Sequence, residues 1–583
     1  MDSKIIPKLY MKLLPIQILL VIISGMNGII DNVFASNFIG KDAMAVTGIF
    51  GPVTNFLNAI NALFFGGAQV LCGKYLGRRM EERTKSIFTI DISIMIIVAI
   101  LLTAVSEAVP SALASALGAN DDLNAELASY IRGYAVGLPF FCLGTQFTAF
   151  LQLEHKEKLS YISIVSMFIS NAFFNWLFIA AFDMGLFGLG LSTSIGNMMF
   201  FLIQAIHYLS GKSVLKFSLK HIVRSDLKDI VINGIPGAST QLCIFVRGII
   251  IIHIIKHFIG YDGLAAYSAI SSFGSVYWAV PAGVTSAVIV LGSVYVGDED
   301  REGLKTLMKT FFTRGLGIVI AVSAALSALC VPLTMMFFRD TSADVYHMTV
   351  LGFMLFPIST PVSAFTVGLN NYYHCQYHEK IVRIVSVIDG LIGVCLFSII
   401  LAPLFKMTGI WIAQIAGGLM SATALIIFAT LYNHSLPYTL EKLMCFPEGF
   451  GVSEKDRIDI SVNSMDQVIN ISEQVWGFCK EHNVDAKRTN CASLSVEELA
   501  GNIVRHGFRD GKKNSIDIRV SYVKGDIVIS FKDDCIPFNP AQASQLFDSD
   551  DKTHNVGLRL ASSIGGSMNY QNTFGLNILT IRI

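Results

Sequence analysis

From about residue 12 to residue 432 the chain runs as apolar stretches of 20 residues or more, separated by short polar breaks. Apolar runs longer than about 18 residues are long enough to cross a bilayer as helices. They predict twelve spans, over residues 13–36, 43–70, 87–109, 127–151, 160–182, 186–210, 229–258, 264–294, 312–337, 346–373, 382–402 and 407–432. After Phe446 the long runs stop. Residues 458–462 alternate like a strand, Val468–Asn483 and Leu494–His506 carry a helical period, and 515–523 and 526–532 read as two strands joined at Lys524-Gly525. A further helix is expected over Leu558–Ser563 and a last strand over Gly575–Ile583. The expected fold is an all-α polytopic membrane domain of about twelve helices in two six-helix repeats, then a C-terminal α/β two-layer sandwich with helices on one face of a sheet.

Charge sharpens this picture. Only 15% of residues are charged, against about 25% in soluble domains. The loops after even-numbered spans are basic, with Lys74, Arg78, Arg79, Arg83 and Lys85 in the first and Lys212, Lys216, Lys220, Arg224 and Lys228 in the central one. Loops after odd-numbered spans are short or acidic, such as Asp121, Asp122 and Glu126. Cytoplasmic loops carry the Lys/Arg excess, so both termini and the C-terminal domain are expected in the cytoplasm of a multi-pass cell-membrane protein. Lys4, Lys8 and Lys12 before an apolar stretch imitate a signal peptide, but Asn27, Asp31 and Asn32 interrupt it and more spans follow; it reads as the first span. A net charge of zero gives no hint of nucleic acid, and the 10 cysteines are scattered singly, without the spacing of a zinc site or disulfide framework.

The membrane part repeats at a shift of about 220 residues. Phe38-Ile39-Gly40-Lys41-Asp42 matches Phe258-Ile259-Gly260-Tyr261-Asp262, and Val70-Leu71 through Tyr75 and Gly77 match Val290-Leu291 through Tyr295 and Gly297. The expected units are lobes 1–210 and 211–432, a linker 433–456 and a domain 457–583. Six spans per half insert in the same orientation, a build in which substrate binds between the halves near the midplane.

Ionisable groups inside a membrane are costly and mark function by default. Asp31 lies in the second half of span 1. Asn171 and Asn175 stand four apart and share a face of span 5, and Thr193 sits in span 6. A carboxylate, amide oxygens and a hydroxyl suit Na⁺, while a protonatable Asp suits H⁺ equally. Arg247, His253 and Lys256 make span 7 basic. Arg247 either meets an anionic group of a substrate, pairs within the bundle or snorkels to an interface. His374 and His378 read as interfacial.

Pro15…Asp31…Phe38-Ile39-Gly40, Gly66-Gly67…Gly73…Gly77-Arg78, the stretch from Asn171 through Met184-Gly185-Leu186-Phe187-Gly188, and Gly234-Ile235-Pro236-Gly237 resemble, in order and spacing, the multidrug and toxic compound extrusion (MATE) family over roughly residues 7–435. The resemblance implies a Na⁺- or H⁺-coupled antiporter exporting small organic cations or drugs, with Asp31, Asn171, Asn175 and Thr193 at the positions of a first-half cation site. Asn175 stands where some members carry a second carboxylate, and Ile244 where some carry a Glu, which leaves the coupling ion open.

In the tail, Glu498 and Asn502 are four apart on one helix face, and His506 continues the row. Lys532-Asp533-Asp534-Cys535-Ile536-Pro537 follows a strand. His554-Asn555-Val556-Gly557-Leu558 is a Gly turn opening a helix, where phosphate is favoured. This trio resembles the histidine-kinase-like ATPase fold, closest to anti-sigma-factor serine kinases, over about 460–583. The resemblance implies Mg²⁺ on Asn502, a base at Glu498, adenine read by Asp533 and phosphates beside Gly557, hence Mg-ATP and a regulatory protein partner. Cys535 and Pro537 depart from its glycines. With no GxxxxGK[ST] loop, ATP is expected to regulate rather than drive transport. Two other readings stay open: a membrane sensor with a Ser/Thr kinase output, and a lipid or oligosaccharide flippase.

Overall fold

The computed structural model describes residues 5–77, 81–154, 156–210, 213, 215–218, 222–297, 299–447, 449–508, 516–523, 525–535, 567–573 and 576–583. In the first half, α1 (Ile5–Phe34), α2 (Lys41–Gly77) and α3 (Glu81–Ala108) precede the short α4 (Pro110–Leu117). Then come α5 (Asp121–Ala135) and α6 (Leu138–Leu153), which meet at a 49° bend, followed by α7 (Glu157–Asn175) and α8 (Gly185–Leu209). The second half holds α9 (Arg224–Phe258), α10 (Tyr261–Ser272), α11 (Gly274–Gly297), α12 (Arg301–Thr310), α13 (Leu316–Ala328), α14 (Cys330–Met335), α15 (Asp344–Cys375), α16 (Glu379–Val387) and α17 (Gly393–Asn433).

Among the described residues nine helical stretches are long and apolar enough to cross a membrane, and ten if the bent α5–α6 pair is one span. Lys406, with φ 50° and ψ −129°, breaks α17 in the gap expected between the last two spans. α1 lies where the first span was expected, outside those stretches.

The repeat is visible in the backbone. Gly40 (φ 130°) and Gly260 (φ 100°) occupy matching turns, each in a conformation that a β-carbon disfavours. Across these turns Lys41 pairs with Asp262 at 3.0 Å.

The halves meet along two antiparallel seams. One joins α1 to α11: Gly283 lies against Leu14 and Ile18, and the Tyr10 hydroxyl donates to the Val284 carbonyl at 3.0 Å. The other joins α2 to α9, so closely that a β-carbon on Gly67 would lie 1.9 Å from the Ile230 oxygen and one on Gly234 would lie 1.7 Å from the Leu63 oxygen. With lipid as apolar as the side chains, such close backbone approach at small residues is what holds membrane helices together.

Within 433–456, α18 (Leu440–Met444) turns back onto the bundle; Met444 and Cys445 are buried, and the Tyr373 hydroxyl donates to the Leu443 carbonyl at 2.7 Å. The C-terminal domain follows with β1 (Arg457–Val462), α19 (Met465–Glu481), α20 (Ala486–Asn502), β2 (Ile516–Val523), β3 (Asp526–Asp533), β4 (Ser567–Thr573) and β5 (Leu576–Arg582). All strand pairs are antiparallel, in the order β1-β2-β3-β5-β4. Val468, Ile471, Val475, Val496 and Leu499 cover one face, on which Ile518, Ile529 and Ile581 are fully buried.

Two details differ from expectation. α20 starts eight residues before Leu494, because the Asp485 side chain accepts from the Arg488 amide at 3.0 Å and caps it. β4, a polar run, was not expected; it forms because β5 offers it a full antiparallel ladder. The expected helix over 558–563 lies outside the described residues.

The tight seam gives a stability test. Gly234→Ala should lower the thermal midpoint of the purified protein, by a cost of about 1–3 kcal/mol or more for overpacking. Gly66→Ala, with nothing within 4 Å of its added β-carbon, should leave the midpoint unchanged or raise it.

Candidate functional site

Three helices bring the expected cation residues together. Asp31 on α1 is 8% exposed, and Asn171 and Asn175 on α7 are fully buried. Asn171 Nδ2 donates to Asp31 Oδ1 at 3.0 Å and Asn175 Nδ2 to the same oxygen at 2.8 Å. Thr193 Oγ1, on α8, donates to Asp31 Oδ2 at 3.0 Å. Asn175 Nδ2 also donates to Asn171 Oδ1 at 3.1 Å, a contact that the four-residue spacing on α7 makes possible. The helix widens into a π-helical turn over Trp176–Ala181, immediately after Asn175, and α1 does the same over Ala35–Ile39. Such bulges are frequent at functional sites.

The sequence reading missed two sets of partners. Ser192 hydrogen-bonds Asn175 Oδ1, so the α8 contribution is a Ser-Thr pair. One residue after Asp31, Asn32 Oδ1 accepts from Thr47 at 2.6 Å, and Thr47 meets Ser268 of α10 at 3.1 Å. This chain of short polar contacts ties the site to the second half. Its only signal in the sequence was the Asp31-Asn32 pair itself.

Beside the site, Tyr130 and Tyr134 lie close enough to Asp31 to feel its charge, and both pack edge-on against Phe50. Tyr134 and Phe50 line a cavity of about 380 Å³ with Phe56, Leu57, Phe245 and Ile249. It is the apolar, aromatic kind of pocket that takes drug-sized molecules.

The basic groups of span 7 go elsewhere. Arg247 donates to the Asp389 carbonyl at 3.3 Å, with the Asp389 side chain within range of its charge. Lys256 donates to the Gly118 carbonyl at the end of α4 at 2.6 Å, and His253 Nδ1 contacts the Ile249 carbonyl at 2.9 Å. Of the alternatives for Arg247, the geometry is that of pairing within the bundle. His378 packs among Tyr373, Phe428 and Tyr432, near the start of the connector.

In the C-terminal domain, Glu498 and Asn502 occupy the last turns of α20, ahead of a π-helical turn over Ile503–Gly507. Asp533 is buried at the end of β3, where its Oδ1 accepts from the Cys535 amide at 2.9 Å and from Asn577 Nδ2 at 2.7 Å. Burial pushes its carboxyl above the ordinary range, against the pull of these hydrogen bonds. Asn577, its cross-strand partner on β5, was not anticipated. The third box, with Gly557, lies outside the described residues.

Comparison with known proteins follows this division. The MatE family model matches residues 15–177 and 236–396, more than half of the chain. The chain belongs to the MATE family. A histidine kinase-like ATPase domain matches residues 462–583. The bundle is similar to an inward-facing MATE multidrug-resistance transporter of the MOP superfamily (16% identity, TM-score 0.64, 68% of this chain and 92% of that one). It is also similar to a Pyrococcus furiosus MOP-superfamily transporter whose binding pocket is described as reversed in polarity (18%, 0.59, 74% and 97%). A mutant of the Vibrio cholerae MATE transporter VcmN aligns as well (15%, 0.58, 74% and 98%). No protein of curated function matches the chain. The MATE fold implies efflux transport of small molecules across a membrane.

The buried cluster predicts its own energetics. Asn175→Leu removes one donor from both Asp31 Oδ1 and Asn171 Oδ1, at a cost of roughly 1–3 kcal/mol for each polar group left unsatisfied. The thermal midpoint should fall clearly below wild type, while Asn233→Leu, whose exposed side chain donates to its own helix carbonyl at Asp229, should move it little.

Proposed function

We propose that this MATE protein exports organic cations in exchange for an inward-moving cation, and that Asp31 is the coupling carboxylate. The observation that carries the reading is the convergence of three side-chain donors, from α7 and α8, on one buried carboxylate of α1. An ionised Asp31 holds the three helices together through these donors. A proton on Asp31 removes acceptor capacity and loosens α7 from α1. A Na⁺ ion would do the same by a different route, since Asn171 and Asn175 would have to turn their amide oxygens inward. Either event changes the wall behind Tyr130 and Tyr134, and so couples the ion to the neighbouring cavity.

That cavity supports the substrate class. Aromatic faces at Phe50, Phe56, Tyr134 and Phe245 attract a delocalised cation by cation–π contact and cover its apolar body. With Arg247 and Lys256 both engaged within the protein, a flippase for anionic headgroups is the weaker reading. The basic loops favour an orientation with both termini and the C-terminal domain in the cytoplasm. Asn502, Glu498 and Asp533 there support binding of Mg-ATP in a regulatory role.

Reconstituted in liposomes without nucleotide, the protein should expel a fluorescent organic cation when a Na⁺ or an H⁺ gradient is imposed. The gradient that drives efflux names the ion, and Asp31→Asn should abolish the driven component. Efflux that ignores both gradients, or survives Asp31→Asn, would overturn the proposal.

A further inference from the structure

The sheet of the C-terminal domain has a second face, and it is polar: Asp459, Asp517, Arg519, Ser530 and Lys532 line it. This face rests on the basic-loop end of the bundle. Asp300, in the turn between α11 and α12, is the centre of the contact. Its Oδ2 lies 3.0 Å from Lys532 Nζ, and its Oδ1 lies 2.7 Å from Arg519 Nη1 while accepting from the Gly303 amide at 2.8 Å. Arg519 Nε in turn meets Asp459 Oδ1 at 2.6 Å, and the Lys532 ammonium sits 4.3 Å from the centre of the Tyr295 ring. Arg457 Nε meets Asp459 Oδ2 at 3.4 Å as well, so two acids and three bases close a network whose centre, Asp300, is buried. Surface pairs contribute little, but breaking a buried pair leaves an uncompensated charge and is strongly unfavourable.

A second grip falls on the other side of the α1–α11 seam. Lys8, on the first turns of α1, pairs with Asp534 at 2.5 Å. Asp534 directly follows Asp533, the residue assigned to adenine. Between the two grips, Ile578 of β5 shares an apolar cluster with Ile5, Ile6, Leu9, Val288 and Leu304. One rigid sheet therefore holds α1, from the first half, and the α11–α12 turn, from the second.

We propose that the C-terminal domain is a staple across this seam, which keeps the basic-loop end of the transporter closed and must let go of one side before that end can open. The inference rests on the transport reading. The Asp300 side of the grip is not released by ordinary acidification. Burial pushes Asp300 up, but Lys532 and Arg519 outweigh it and hold the carboxyl at about 2. The sign is that of a depressed acid: the contact is at full strength above the unfolded carboxyl's ordinary value and is lost only as pH falls towards 2.

Two experiments on the full-length protein test the staple. Lys8→Cys with Asp534→Cys, oxidised to a disulfide in liposomes, should lose efflux and regain it on reduction. Efflux by the cross-linked protein at its reduced rate would overturn the proposal, as would failure of the pair to cross-link. Separately, a maleimide should label a cysteine at Val284, buried against Tyr10 in the seam, several-fold faster when Asp300→Asn is added. An unchanged labelling rate would overturn the staple. A reduced protein that exports nothing would instead count against the transport reading, and the labelling rate would still decide the staple.

Discussion

An ionised carboxylate inside the bundle needs donors for its lone pairs, and at Asp31 three side-chain donors from two other helices meet that need. The donors do not come from α1, whose own backbone bonds are internal. They come from α7 and α8, so those helices must pack against α1 at one height and one rotation. Two asparagines four residues apart give α7 a polar stripe one turn long. Ser192 and Thr193 give α8 the matching edge, and Ser192 occupies the Asn175 oxygen that Asp31 cannot use. Asn175 donates to both Asp31 and Asn171, so its removal is felt at two acceptors and the pairs are not independent.

The glycine seams answer a different demand. A transporter must separate its halves and rejoin them, and apolar side chains in lipid provide little drive for rejoining. At Gly67 and Gly234 the backbones of α2 and α9 touch directly, which gives many dispersion contacts without long side chains that would have to disentangle. The polar relay Asn32–Thr47–Ser268 crosses between the halves beside the cation site. A change in the state of Asp31 therefore reaches the partner half through neighbours one residue away, with no need for a long path.

Much of this was legible in the sequence, and the reason is periodicity. Spans of about twenty apolar residues announce themselves, and a carboxylate and two amides at helical spacing stand out against them. The contacts that escaped are those between residues distant in the chain and unremarkable in place. Asp300 is one of four acids in the run Asp298-Glu299-Asp300-Arg301-Glu302, and nothing near it points to Lys532 or Arg519, more than two hundred residues on. Arg247 was left with three readings because nothing in the sequence around Asp389 showed that the two face each other. In the C-terminal domain, β4 turns only Met568 and Tyr570 to the core, too short an alternation to stand out, and its ladder with β5 supplies the rest. α20 hides its first two turns behind Lys487, Arg488 and Asn490, although Thr489, Cys491 and Ala492 on its other side are buried.

The fused domain has the sheet and the Glu498–Asn502 helix of a nucleotide-binding fold, yet no phosphate loop of the kind that powers a pump. Its position resolves the apparent mismatch. A domain can bias a two-state transporter only through contacts that differ between the states. A module attached to one half alone would ride along with that half and change nothing. This one holds α1 through Asp534 and the α11–α12 turn through Lys532 and Arg519, and those two surfaces must part when the basic-loop end opens. Its contact energy therefore counts in full against the open state. Anything that reshapes the turn carrying Asp533 and Asp534 would draw on the same energy in reverse, because linkage between two sites is reciprocal.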